Sequence, residues 1–180
     1  MARFGLNNIG FFSSLSGGSA IAGTPYGSFY DTTIQTALLI DTAYAMKLNT
    51  SDSPSTSGVI VTNDALGNPT QLKVSQTGVY NLQFSVQILR IQGGTTKVVD
   101  IWLRKNGNTG NIPNTNTSVS VIANSNFLVP AWNFFISLQA NDFLQLMWAT
   151  NDTDIILNYA IATSLHPATP SLIVTINRVS

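Results

Sequence analysis

Very few residues of this sequence are of the types that usually carry chemistry. His166 is the only histidine, and it precedes Pro167 in a polar loop. A serine could complete a Ser/His/Asp triad with it on paper, but no nucleophile motif flanks any serine. With a single histidine and no cysteine, a zinc site is not expected either. The sequence therefore predicts a protein that is not an enzyme, with no catalytic residue, no metal and no cofactor.

Side-chain oxygens are the other candidates for a site. Asn151, Asp152 and Asp154 could offer ligands to calcium, but their spacing differs from that of an EF-hand loop, and a solvated turn is the favoured interpretation. Glycoside hydrolysis needs two carboxylates facing each other across a cleft. The acidic residues here are all aspartates placed near turns, and nothing in the sequence pairs any two of them.

The composition points to an assembly rather than to a free monomer. Only 9% of the 180 residues are charged and the net charge is +0, whereas an ordinary domain has roughly 25% charged residues. Nucleic-acid binding requires a basic surface, and a membrane helix requires about 18 consecutive apolar residues; the sequence has neither. We therefore expect no nucleic-acid partner and no membrane, and a chain that is largely buried among protein partners.

The elements that would position any site are strands. In residues 78–91 (GVYNLQFSVQILRI), apolar and polar residues alternate strictly, which predicts one long central strand with a buried and a polar face. The apolar positions of this strand are Tyr80, Leu82, Phe84, Val86 and Ile88.

Other segments repeat the strand pattern along the chain. Lys97–Lys105 and Leu172–Val179 alternate clearly, and Phe127–Leu138 does so with an expected bend at Pro130. About nine or ten strands separated by turns predict an all-β protein, an antiparallel sandwich or barrel. The remaining predicted strands are 26–37, 43–48, 59–61, 72–75, 118–123, 143–148 and 155–162.

The N-terminal residues 1–25 differ from the rest of the chain. They are rich in glycine and serine and show no period, yet they carry large apolar side chains that a disordered tail usually lacks. A disordered terminus and an arm docked on a partner both remain open, and docking is favoured. We divide the chain into an extended arm (1–25) and a domain (26–180). The arm residues predicted to bind the partner are Phe4, Leu6, Ile9, Phe11 and Phe12.

The order of three motifs resembles that of a known family. G-V-Y-N-L-Q-F at 78–84, I-W-L-R-K-N-G at 101–107 and F-I-S-L-Q-A-N-D-F-L-Q-L at 135–146 occur in the same order as related motifs in the globular heads of the C1q and tumour-necrosis-factor superfamily. The resemblance covers about residues 26–180. It implies a jelly roll of about ten strands and a threefold homotrimer.

The resemblance also suggests where such a protein would act. No collagen-like stem or secretion signal is visible, so the chain looks more like the jelly-roll proteins of bacteriophage virions. The leading expectation is a trimeric head decoration (cement) protein on the outer surface of the capsid, binding the major capsid protein or an adjacent virion protein. The alternative is a receptor- or glycan-binding head of a phage fibre. By the same resemblance, the trimer interface would contain Asn81, Gln83, Gln87 and Phe135.

Trp102 is the remaining candidate for partner binding. It alternates onto the polar face of its strand, beside Asp100 and Arg104. An exposed tryptophan is often an interface anchor. A loop of the same subunit could equally cover it, and the sequence leaves the two interpretations open.

Overall fold

Strands account for all of the regular secondary structure in the part of the chain that can be described. A computed structural model describes residues 23–53, 55–122 and 127–180. These residues form fifteen strands, β1 to β15 in chain order, and no helix. They accordingly include no helix that could span a lipid bilayer. The first sheet consists, in spatial order, of β12 (Ala131–Leu138), β7 (Gly78–Val86), β15 (Leu172–Arg178), β1 (Tyr26–Asp31) and β4 (Thr50–Ser51).

Two further sheets complete the fold, and every pairing between neighbouring strands is antiparallel. The second sheet has the order β10 (Thr117–Val121), β9 (Lys97–Lys105), β13 (Phe143–Thr150), β6 (Pro69–Val74) and β5 (Val59–Asn63), and β3 (Tyr44–Ala45) also pairs with β13. The third sheet has the order β11 (Phe127–Leu128), β8 (Ile88–Arg90), β14 (Ile155–Leu157) and β2 (Gln35–Thr36).

One hydrophobic core joins the sheets. Tyr80 and Leu82 of β7 belong to the same buried cluster as Ile101 of β9 and Leu146 of β13. The predicted all-β class is confirmed, and the antiparallel sheets around one core are consistent with a β-sandwich. The predicted number of strands was wrong, because two-residue strands such as β2, β3 and β4 are too short to show a period in sequence.

The predicted central strand is in fact two strands in two sheets. All five apolar positions of its alternating face are buried, as the pattern indicates. At Gln87, however, the chain leaves the first sheet: its backbone N–H donates to Ser171 and its carbonyl accepts from Asn158. β8 then continues in the third sheet. The alternation hides this change, because the side chains keep their buried and outward order across it.

The predicted strand 127–138 is divided in the same way. β11 pairs with β8 in the third sheet, whereas β12 pairs with β7 in the first. The division falls at Val129 and Pro130, where a bend was expected, because proline cannot donate to a ladder. The predicted strands 26–37 and 155–162 are also shorter than expected, since β1 ends at Asp31 and β14 at Leu157.

The turn after β9 fixes the register of the second sheet. Asn106 and Gly107 both have positive φ (54° and 103°), as the Asn-Gly signal predicts. Asn106 Nδ2 donates to Asp142 Oδ1 at 2.7 Å, and Lys105 Nζ lies 3.5 Å from Asp142 Oδ2. Burial alone would raise the pKa of Asp142, but these contacts and the backbone N–H of Gln139 together lower it. The carboxylate thus holds the ends of β9 and β13 together.

Candidate interaction surface

The outward side of the first sheet carries no charge on its four longest strands. Along β1, β7, β12 and β15 every second residue faces the core and is buried or half-buried, and the residues between point away from the core. We call these outward positions the outer face. Its members are Tyr26, Ser28, Tyr30, Val79, Asn81, Gln83, Ser85, Ala131, Asn133, Phe135, Ser137, Ile173, Thr175 and Asn177.

Three of the four residues predicted for the trimer interface come together on this face. Phe135 lies directly opposite Asn81 in the β12–β7 ladder, and Gln83 is one pair further along, opposite Asn133. Phe135 is 68% exposed, an unusual state for a phenylalanine in the middle of a long strand. Gln87 lies beyond the end of β7 and is not part of the strand that carries the other three.

Asn81 has an unmet hydrogen-bonding requirement on the same face. Its side-chain Oδ1 is buried, and within the described residues it accepts no hydrogen bond. Its neighbours across the ladders are Phe135 on β12 and Asn177 on β15. Buried carbonyl oxygens usually have a donor, so this acceptor is an exception among the described residues.

Trp102 is held by a loop of its own subunit. Its indole Nε1 donates to Asn111 Oδ1 at 3.0 Å, and Arg104 Nε donates to the same oxygen at 3.0 Å. Partial burial lowers the pKa of Arg104 below its ordinary value. The ring is half-buried on the side of the second sheet that faces away from the core, opposite Met147. The loop therefore satisfies the indole N–H, while a role for Trp102 as a partner anchor stays a prediction.

Two of the three residues that could have bound calcium, Asn151 and Asp152, use their side chains inside the fold. Asp152 Oδ2 lies 2.7 Å from Arg90 Nη2, and its Oδ1 accepts from the backbone N–H of Asp154. Asn151 Oδ1 accepts from Val98 N at 2.9 Å. The described residues contain no group of three or more His, Cys, Asp or Glu placed to hold a metal. The 151–154 turn is therefore built around an ion pair.

His166 sits on the surface without a catalytic partner. Its Nδ1 lies 2.8 Å from the carbonyl oxygen of Pro167, and its backbone N–H donates to Thr163 Oγ1. The described residues place neither a serine hydroxyl nor a carboxylate in hydrogen-bonding contact with its ring.

The sequence did not predict a surface cavity of about 920 Å³ on the outward side of the second sheet. Gln145, only 6% exposed, donates from Nε2 to Thr70 Oγ1 at 2.9 Å. Thr70 Oγ1 in turn donates to Asp64 Oδ2 at 3.2 Å. The rim includes the exposed side chains of Leu38 and Leu66. The available signal was Gln145 itself, a polar residue within the apolar run of β13.

The predicted arm residues Phe4, Leu6, Ile9, Phe11 and Phe12 lie outside the described residues. The chain is described from Gly23 onward, where Gln76 Nε2 donates to the Gly23 carbonyl. The Pro25 carbonyl accepts from the backbone N–H of Arg178 at 2.8 Å. The arm thus joins the first sheet at the end where β15 finishes.

Comparison with known proteins adds no relative to this description. No family model matches the chain, and no curated protein matches it.

Proposed function

We propose that this protein is a structural component of a phage virion, a homotrimer that decorates the outer surface of the capsid and clamps neighbouring capsid subunits. Its domain would be a jelly roll of the kind found in C1q and tumour-necrosis-factor heads. The observation that supports this most directly is the uncharged outer face, on which Phe135 of the edge strand β12 is exposed.

An uncharged face suits contact between identical subunits. A rotational symmetry axis brings the same residue of each subunit close together. A charged residue on this face would therefore lie near identical charges and would lose its contact with water. Amides, hydroxyls and uncharged aromatic rings avoid that cost. Burying Phe135 would contribute about 1.5–3 kcal/mol per subunit.

The oligomeric state in solution tests the proposed homotrimer. We expect sedimentation at micromolar concentration to give three times the chain mass of 19.3 kDa. Phe135→Asp places a charge on the outer face and should shift the protein to monomer. The control is Leu165→Asp, which changes a side chain that is 92% exposed in the loop before β15 and should leave the trimer intact. A wild-type monomer, or trimers unaffected by Phe135→Asp, would contradict the proposed interface.

Deletion of the arm tests the proposed attachment of the protein to the capsid. Removing residues 1–22 spares Gly23 and Pro25, which contact the first sheet. The truncated protein should fold and trimerise normally but fail to remain on particles, since Phe4, Leu6, Ile9, Phe11 and Phe12 would no longer supply apolar contacts. The measurement is the amount of protein that sediments with purified particles. Normal occupancy by the truncated protein would refute the role of the arm.

The cavity under Leu38 and Leu66 favours a second candidate, a receptor- or glycan-binding head of a fibre. Its floor of amide, hydroxyl and carboxylate groups could exchange hydrogen bonds with the hydroxyls of a glycan. Copy number separates the two functions, because a decoration protein coats the capsid in hundreds of copies whereas a fibre head is present in few.

A further inference from the structure

β12 forms one edge of the first sheet, and its free side is open. It pairs with β7 on one side only. Val86 N donates to the Pro130 carbonyl just before β12 begins, and the two residues are in register with the ladder that follows. In an antiparallel ladder, pairs whose backbones are hydrogen-bonded to each other alternate with pairs that are not. Since Pro130 and Val86 form a bonded pair, the backbones of Trp132 and every second residue after it also bond to β7. The peptide groups that face the free side are those of Ala131, Asn133, Phe135 and Ser137, and within the described residues they bond to no other backbone group.

The devices that normally protect an edge strand are missing from β12. Edge strands usually carry lysine, proline or a bulge, or are very short. β12 is eight residues long, AWNFFISL, with no charge and no proline. Its register with β7 runs without a shift from Ala131 to Leu138. Such an edge is a template for an added strand.

A groove runs beside this edge. It has a volume of about 580 Å³ and lies between β12 and the loop of residues 110–115. Phe134, Phe135 and Ile136 line it from the strand, and Ile112 and Pro113 from the loop. A strand added along β12 would place alternate side chains in this groove.

We infer that the β12 edge of one subunit accepts the N-terminal arm of another subunit as an added strand. The inference rests on the proposed function for the presence of neighbouring copies. Residues 4–22 of the arm contain no charged residue, which matches the uncharged edge. The segment from Phe4 to Phe12 is long enough to pair with the whole of β12 and supplies large apolar side chains for the groove.

The position of the arm favours a second copy as the donor. β1, to which the arm connects, is separated from β12 by β15 and β7, with their outer face between them. An arm that crossed this face to reach its own β12 would occupy the surface assigned to the trimer. With Phe4–Phe12 in the added strand, the extended residues 13–22 still span up to about 35 Å, a length that allows the strand to pair with a neighbouring subunit instead.

A peptide of residues 1–22 and the protein lacking those residues provide the test. The peptide should bind the truncated protein and slow the hydrogen exchange of the Asn133, Phe135 and Ser137 amides at least tenfold. The amides of Trp132 and Phe134 bond to β7 already and should change little. Protection of this alternating kind reports backbone pairing, which contact by side chains alone would not produce.

Two substitutions at Asn133 distinguish the contribution of its backbone amide to peptide binding from that of its side chain. Asn133→Pro removes a single amide hydrogen at the free edge, where proline is tolerated, and should weaken peptide binding about tenfold, the equivalent of one good hydrogen bond. Asn133→Ala keeps the amide and should bind within about twofold of the unsubstituted protein. The melting temperature of each variant confirms that it has folded. Binding that is unchanged by Asn133→Pro in a folded protein would overturn the inference.

Further outcomes distinguish this inference from the proposed function. If the peptide does not bind, yet the truncated protein is lost from particles, the arm binds the capsid protein. The inference about β12 then fails, while the proposed function stands. If the full-length protein shows protected Phe135 amides as an isolated monomer, the arm binds within its own subunit and the inference also fails. If the peptide binds and protects the edge but the wild-type protein never trimerises, the inference stands and the proposed trimer fails.

Discussion

Replacing Phe84 with alanine is expected to lower the free energy of unfolding by about 3–5 kcal/mol, the usual cost of removing a buried aromatic ring. Phe84 is 5% exposed and packs between two aromatic side chains of β12. Its ring centroid lies 5.6 Å from that of Trp132 and 6.4 Å from that of Phe134. The substitution would leave a cavity on the core side of the first sheet, beside the two aromatic side chains of β12. Chemical denaturation at neutral pH measures the change.

The neighbouring residue provides the matched control for this change. Gln83 lies on the outer face and is exposed, so Gln83→Ala should change the free energy of unfolding by less than about 0.5 kcal/mol. The control is measured in a monomeric background such as Phe135→Asp, because Gln83 also belongs to the proposed interface. Equal effects of the two substitutions would show that β7 has the opposite register.

Replacing Asp152 with asparagine is expected to cost a similar amount, about 3–5 kcal/mol, because it leaves a buried charge without its partner. The Arg90 and Asp152 side chains are 3% and 13% exposed, and their closest atoms are 2.7 Å apart. Arg90 Nε is already buried without a hydrogen-bond partner in the described residues. Asparagine retains Oδ1 as the acceptor for the Asp154 N–H, so the turn itself is preserved.

The control for the ion pair is the same substitution two residues further along. Asp154→Asn should change the free energy of unfolding by less than about 1 kcal/mol, because no cation lies within bonding distance of Asp154 in the described residues. Thermal unfolding at several salt concentrations adds a second readout. A buried pair is only weakly screened, so the difference between the two variants should persist in high salt. A small effect of Asp152→Asn would mean that solvent reaches Arg90.

Much of the first sheet can be predicted from sequence because it has one buried face and one outward face. β7, β9 and β15 show the strict alternation that such sheets impose, and the exposed position of Phe135 follows from its place between Asn133 and Ser137. The contact of Phe84 with the β12 aromatics also follows from alternation, once the two strands are taken as neighbours. Periodicity identifies faces reliably because the side-chain period of a strand is two.

Features that depend on contacts between distant segments could not be predicted. The change of sheet at Gln87 leaves the alternation intact, so nothing in the sequence marks it. The bond from Trp102 to Asn111 depends on how the 110–115 loop folds back over β9. The pairing of Arg90 with Asp152 joins two turns far apart in sequence. The cavity lined by Gln145 exists only because β13 and β6 are neighbours.

The order of strands in the first sheet has a consequence for how the protein is made. β15, the last strand of the chain, lies between β7 and β1, and pairs Val174 with Phe84 and Gly27 with Ile176. A nascent chain cannot complete this sheet until β15 has left the ribosome, so β1 and β7 each keep an unpaired edge until then. Bringing β15 back to β1 across the length of the domain is also slow, because loop entropy is lost before the contacts form. The sheet therefore closes only after β15 has been made, and the unfinished sheet is prone to aggregation until that point.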